Sequence, residues 1–223
     1  MDRAEWLGDI VLSSLWPLLE GTLNYTIPLS IVSFLLSIPL AFVVAMSARS
    51  HNKWLRYPSQ FYVWIIRGTP VLLHLYLIFY GLPSIGIVLP AFLTVAISFT
   101  IAEGAYSSEI VRTAIDSVAQ SQWRAGYALG MTRSQTFRRI VLPQAVRISI
   151  PPLGNQFISL VKTSSLAALV TLQDLFGVAK QIAATTYEPL LLFIVAGFYY
   201  LAICSILTFI QHRMERRFGH YSI

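Results

Sequence analysis

An all-α membrane protein with five spans is the fold class this sequence predicts, and three observations predict it. Of its 223 residues 56% are hydrophobic and only 12% charged, and the mean hydropathy is +0.65; soluble domains carry about 25% charged residues. The apolar residues come in runs long enough to cross a bilayer. Lys and Arg collect in alternate connections between those runs. A chain of this length holds about five helices of roughly 20 to 25 residues with little left over, so residues 1–223 are read as one transmembrane domain.

Residues 1–21 place Trp6, Leu7, Ile10, Val11 and Leu15 at helical spacing, which predicts an amphipathic segment at the outer interface. The start, Met1 to Trp6, lacks the basic segment and short apolar core of a cleaved leader. Span one covers about Thr22 to Ala48, span two about Tyr57 to Gly81, and span three about Ile87 to Val111. The fourth begins near Gln144 and has Pro151, Pro152, Gly154, Asn155 and Gln156 in its middle, so it is expected to be broken there. Residues 163–188 are apolar but punctuated by Gln173, Asp174, Lys180 and Gln181, which predicts an outer segment of half-depth helices facing a water-filled cavity. The last span covers about Pro189 to His212.

Arg49, Lys53 and Arg56 follow span one; Arg112, Arg124, Arg133, Arg138, Arg139 and Arg147 follow span three; Arg213, Arg216 and Arg217 follow the last. The connection from Leu82 to Gly86 has no basic residue. Cytoplasmic connections retain Lys and Arg, so the N-terminus is expected outside and the C-terminus inside. An odd number of spans requires the same arrangement.

The net charge of +6 is spread between apolar runs rather than gathered into an arm or groove, which argues against nucleic acid. Cys204 is the single cysteine and lies inside the last run, so it makes neither an internal disulfide nor a multi-cysteine metal site. His51, His74, His212 and His220 are scattered, and no glycine precedes a lysine, which leaves no metal cluster and no phosphate-binding loop. Neither a nucleophile elbow nor any other catalytic constellation is present. No catalytic residue is assigned, and no cofactor is expected on this chain.

The segment 112–147 is the longest charged connection, and it carries helix signals. Thr132 followed by Gln135 reads as a capping box, Gly130 as the terminator of the preceding helix, and Pro143 as the end of the next. In the stretch Trp123-Arg124-Ala125-Gly126-Tyr127-Ala128-Leu129-Gly130, Gly130 is followed after nine residues by Ile140-Val141-Leu142-Pro143. This resembles the cytoplasmic signature of the membrane subunits of type I ATP-binding-cassette importers: E-A-A, three residues, G, nine residues, I-x-L-P. Arg124-Ala125-Gly126 stands at the E-A-A position, so a glutamate is replaced by an arginine and an alanine by a glycine. Arg67-Gly68-Thr69-Pro70, Ser121-Gln122-Trp123, Arg138-Arg139, Leu142-Pro143-Gln144, Pro151-Pro-Leu-Gly-Asn-Gln-Phe157, and Lys162 ahead of Ser165-Leu166 are similar to the polar amino acid permeases of that group. The resemblance covers about residues 20 to 215.

It implies the type I importer permease fold in the bacterial inner membrane, an ATPase-coupling loop around residues 120 to 143, and a dimer with an identical or related chain. It further implies separate ATPase subunits that bind ATP and Mg, and an external substrate-binding protein. The coupling residues would be Trp123, Arg124, Ala125, Gly126, Gly130, Thr132, Arg138, Arg139, Ile140, Leu142 and Pro143.

Ionisable groups inside a span cost a few kcal/mol on insertion scales. Arg67 lies roughly 15 Å and Glu103 roughly 12 Å from the inner ends of their spans, at 1.5 Å per residue. The two are placed to pair with each other. Alternatively, Arg67 supports the helix break at Gly68-Thr-Pro70, and Glu103 faces the pathway with Tyr106, Ser107 and Ile110. Asn155, Gln156 and Ser159 lie near mid-depth and either bind substrate or pack helices of two copies. Arg67, Glu103, Asn155 and Gln156 together offer donors for a carboxylate and acceptors for an amine, and Glu103 tilts the expectation toward cationic or cystine-like amino acids. Glu109 and Arg112 read as an interfacial pair. The rival readings are an ion-coupled transporter or channel with Glu103 and Arg67 as its relay, and a structural or sensory membrane subunit.

Overall fold

The structure is a computed structural model that describes residues 2–218; His220 lies outside them. Ten α-helices follow in order, and no strand occurs among the described residues. Helix α1 (Arg3–Gly21) passes through a π-turn (Thr22–Thr26) into α2 (Ile27–Ala48). The two form one apolar run of 46 residues, about 69 Å at 1.5 Å per residue, over twice the thickness of a hydrocarbon core. The segment expected at the outer interface is therefore helical but does not stand apart. Ile10 packs with Ala183 and Leu192, and Leu18 with Leu175, Ala179 and Ala196. The Tyr199 hydroxyl donates to the Leu15 carbonyl at 2.7 Å.

Helices α3 (Lys53–Gly68) and α4 (Val71–Ser84) are bent by 102° at the Gly68-Thr69-Pro70 break. Thr69 is extended, as a residue before proline must be, and its hydroxyl donates to the Ile65 carbonyl at 2.6 Å. Buried His74 lies against the same hydroxyl at 2.6 Å, so this histidine helps to close the bend.

Helix α5 (Ala91–Asp116) runs through the middle of the bundle, with Val95, Phe99, Ala102, Glu103, Gly104, Ala105, Ser107 and Ser108 all buried. It meets the small-residue face of α2, where Ser33, Ser37 and Ala41 recur every four residues. Small side chains let two helices approach closely and exchange hydrogen bonds: Ser33 donates to the Ala96 carbonyl and Thr100 to the Ser33 carbonyl, both at 3.4 Å. A Cβ on Gly104 would stand 2.5 Å from Leu40 Cδ2.

After the connecting helices α6 (Gln120–Ala128) and α7 (Arg133–Thr136), a second π-turn (Phe137–Val141) leads into α8 (Leu142–Thr163). Two expectations are corrected here. Pro143 does not end a helix; it lies inside one helical run from Arg133 to Val170, directly after the π-turn. Nor is the fourth span broken at Pro151 and Pro152, since α8 runs through both. Ile148 and Pro152 border an open cavity, the setting in which carbonyls freed by proline are tolerated. On the other side Gln211 donates to the Pro151 carbonyl at 3.2 Å.

The break comes later. A 3-10 turn (Ser164–Val170) ends at Thr171 with φ +65°, and α9 (Leu175–Thr186) leaves at 47° to the preceding run. Its N-terminus is tied inward: Asp174 accepts from the Gly177 amide at 2.9 Å, and Thr26 in the first π-turn accepts from the Leu175 amide at 3.0 Å. Helix α10 (Pro189–Phe218) completes the chain. The α1–α2 run and α10 are long and apolar enough to cross a membrane, and each bent pair counts as a further candidate.

Candidate coupling loop and inner cavity

The loop after α5 is built from two well-defined caps. At the end of α6, the Met131 amide donates to the Gly126 carbonyl at 3.1 Å and the Gly130 amide to the Tyr127 carbonyl at 2.9 Å. This paired bonding ends a helix where the next residue takes a left-handed conformation, and Gly130 does so at φ +75°. Two residues later the Thr132 amide donates to Gln135 Oε1 at 2.9 Å and the Gln135 amide to Thr132 Oγ1 at 3.3 Å. The capping box that the spacing predicts is formed.

Beneath the loop, Val141, Ala145, Ala114, Ile115 and Val118 make a buried cluster against which Trp123 and Phe137 pack. The rings of Trp123 and Phe137 are stacked at 6.2 Å and 22°. The loop is thereby fixed to the ends of α5 and α8. Ile140 and Leu142 are half-buried, whereas Arg124, Ala125, Arg138, Arg139 and Pro143 are exposed.

Gly126 stands where the resembling signature has alanine, and the structure gives the reason. A Cβ there would lie 2.5 Å from Thr136 Cγ2 and 2.7 Å from its Oγ1, and Thr136 is fully buried. Gly126→Ala is expected to destabilise the loop by about 1–3 kcal/mol through overpacking. Adding Thr136→Ala should recover most of that loss. Thermal denaturation of both variants checks this, and independent losses that merely add would refute the interlock.

The polar residues expected at membrane depth do not all converge. Arg67, Tyr106 and Gln156 line one cavity of about 470 Å³ with Glu109, Ile110, Thr113 and Pro152. Arg67 does not pair with Glu103: its Nη1 lies 3.6 Å from Glu109 Oε2, and its guanidinium stands 5.7 Å from the Tyr106 ring centre. Glu103 is 5% exposed and accepts from Gln156 Nε2 at 2.8 Å, which places it behind the cavity wall. Ser107 is buried on the same face of α5. Asn155 turns toward α10 and accepts from Gln211 at 3.1 Å, and Ser159 is exposed outside the cavity lining.

Glu109 is the cavity residue that sequence reasoning assigned only to a pair with Arg112. That pair is present, with Arg112 Nε donating to Oε1 at 3.0 Å and Nη2 to Oε2 at 2.8 Å. Glu109 also faces Arg67. The signal was available, because 106, 109, 110 and 113 follow the i, i+3, i+4, i+7 stripe of one helical face. Arg112 continues the chain of charges to Asp116 at 3.2 Å, and Asp116 also accepts from Arg49 at the end of α2. Alternating charges thus run from the bend after α3, along α5, to the end of α2.

A family described as "Binding-protein-dependent transport system inner membrane component" matches residues 16–220. The chain belongs to that family. It is a permease subunit of an ATP-binding-cassette importer and not an enzyme; ATP hydrolysis sits in a separate subunit. It is 45% identical over 214 residues to the L-cystine transport system permease protein TcyB of Bacillus subtilis, a match covering 96% of this permease and 92% of TcyB. It is 36% identical over 206 residues to the probable amino-acid ABC transporter permease protein YckA of the same organism, covering 92% and 91%. Among solved structures it is similar to a chain described as "Crystal structure of an amino acid ABC transporter with histidines", with a TM-score of 0.89 and 28% identity over 97% of this permease and 99% of that chain.

Proposed function

We propose that this permease carries a polar amino acid across the bacterial inner membrane in an ATP-driven import system, with a cystine-like or cationic amino acid as substrate. The observation that carries this reading is the capped loop 120–143, rigidly seated on α5 and α8 and exposing Arg124, Arg138 and Arg139. A surface so built suits a docking element for an external motor.

In this reading the α1–α2 run, the α3–α4 pair, α5, α8 with its extension, and α10 are five crossings. The distribution of Lys and Arg puts the loop and the C-terminus inside and the N-terminus outside. Two permease chains, identical or related, enclose the pathway. A binding protein delivers substrate at the outer face, and two ATPase subunits, which bind ATP and Mg, seat on the loops and rock the halves between outward and inward openings. Within each chain the cavity of Arg67, Tyr106, Glu109 and Gln156 offers a cation and an anion to a zwitterion, with Glu103 orienting Gln156 from behind. The similarity to an L-cystine permease supports the substrate class.

The test is reconstitution of the permease with its ATPase and binding protein in proteoliposomes. Labelled cystine is expected to accumulate only with internal ATP, at a rate raised at least about tenfold by the binding protein. Uptake that survives ATP removal but collapses with an ion gradient would replace this reading with an ion-coupled transporter. Glu103 and Arg67 make no direct pair, each having another partner, which favours the importer reading over that alternative.

A further inference from the structure

A cavity of about 580 Å³ opens where the end of α2, the end of α5 and helices α6 and α7 meet. Arg49, Arg124 and Arg133 border it, and Asp116 is the only carboxylate in its lining. That carboxylate is already shared, since it pairs with both Arg49 and Arg112. Arg133 Nη1 donates to His51 Nε2 at 3.1 Å, a contact that brings no negative charge. Arg124 has no ion-pair partner among the described residues. Burial, and then the guanidiniums of Arg112 and Arg133, hold Arg49 below the usual arginine range. Tyr127, 47% exposed, lines this opening together with Trp123, so basic and aromatic side chains share one face. A protein surface satisfies both together; a small anion uses only the first.

We infer that this pocket receives an acidic side chain from the ATPase subunit and that Arg124 is its principal partner. The inference rests on the reading of 120–143 as the docking loop. Position 124 is where the resembling signature carries glutamate, so the sign of the charge is inverted, and the group that meets it must be negative. The inversion makes Arg124 a specificity determinant: an ATPase matched to a glutamate at this position meets a like charge here, and like charges suppress the wrong partner.

The test uses the complete assembly in lipid nanodiscs, once in phosphatidylcholine alone and once with phosphatidylglycerol added, and reads substrate-stimulated ATP hydrolysis. Arg124→Glu is expected to lower it at least about tenfold in both lipids, and Arg124→Gln by less. Replacing surface acids of the ATPase cleft by lysine, one at a time in the Arg124→Glu background, is expected to identify one change that restores stimulation. Arg124→Glu coupling as well as wild type would overturn the inference, as would the failure of every acid reversal to restore it. A defect confined to the phosphatidylglycerol discs would overturn it too, assigning the pocket to a lipid headgroup. If the wild-type assembly shows no stimulation in either lipid, the docking reading fails and this inference with it; intact wild-type stimulation with an indifferent Arg124→Glu removes this inference alone.

Discussion

Glu109→Gln is expected to lower transport by about 30-fold while leaving the protein folded. Glu109 receives two hydrogen bonds from Arg112 and faces Arg67 across the cavity, so its removal takes away the ion pair of Arg67 and leaves Arg112 with Asp116 alone. An exposed ion pair is worth about 0–1 kcal/mol and breaking a buried one costs about 3–5 kcal/mol. The Glu109 side chain is 29% exposed, which places the effect near 2 kcal/mol, or about 30-fold at 1.4 kcal/mol per tenfold. The loss should appear in transport rather than in assembly, because the residue joins the bend after α3 to α5 and leaves the α2–α5 contact untouched. Uptake rates and ATPase recovery on co-purification measure the two separately. Transport at the wild-type rate would mean that the chain of charges contributes nothing to the cycle.

Gly104→Val is expected to damage the fold severely. The Cβ alone would lie 2.5 Å from Leu40 Cδ2 and 3.0 Å from the Tyr62 hydroxyl, which donates to the Ile101 carbonyl at 2.5 Å. Both neighbours are held, Leu40 by the close α2–α5 approach and Tyr62 by its hydrogen bond. Overpacking costs of about 1–3 kcal/mol are usual for added methylenes, and a branched side chain at this distance belongs at or above the upper end. Against a total stability of about 5–15 kcal/mol, the variant should denature at a much lower temperature in detergent, and Leu40→Ala should return part of the loss. An unchanged midpoint would show that α2 and α5 separate easily.

What the sequence disclosed was mostly local. The Gly130 stop, the capping box at Thr132 and Gln135, and the break at Gly68-Thr-Pro70 each follow from backbone chemistry within a few residues, and each is present. The pairing of Arg67 was not local. Depth counted at 1.5 Å per residue assumes an upright helix, but a chain that turns by 102° after Gly68 cannot keep α3 and α4 both upright. Arg67 accordingly meets Glu109, six residues along α5 from Glu103. Pro143, Pro151 and Pro152 misled for a related reason. A proline signals a lost donor, yet whether the helix stops depends on what surrounds the freed carbonyl, and at Ile148, four residues before Pro152, an open cavity lies alongside. The π-turns have no sequence signature that would have exposed them.

Those π-turns have a consequence for how this chain tolerates insertions. Each inserts one residue beyond regular α-helical winding, and one residue is about 100° of rotation. Upstream of Thr22 the apolar stripe answers to α9 and α10; downstream, the stripe of Ser33, Ser37 and Ala41 answers to α5. Deleting one residue between Thr22 and Thr26 would restore an ordinary helix and swing one stripe away from its neighbour, although no contact residue had been altered. Within this segment the number of residues is under stronger constraint than their identity.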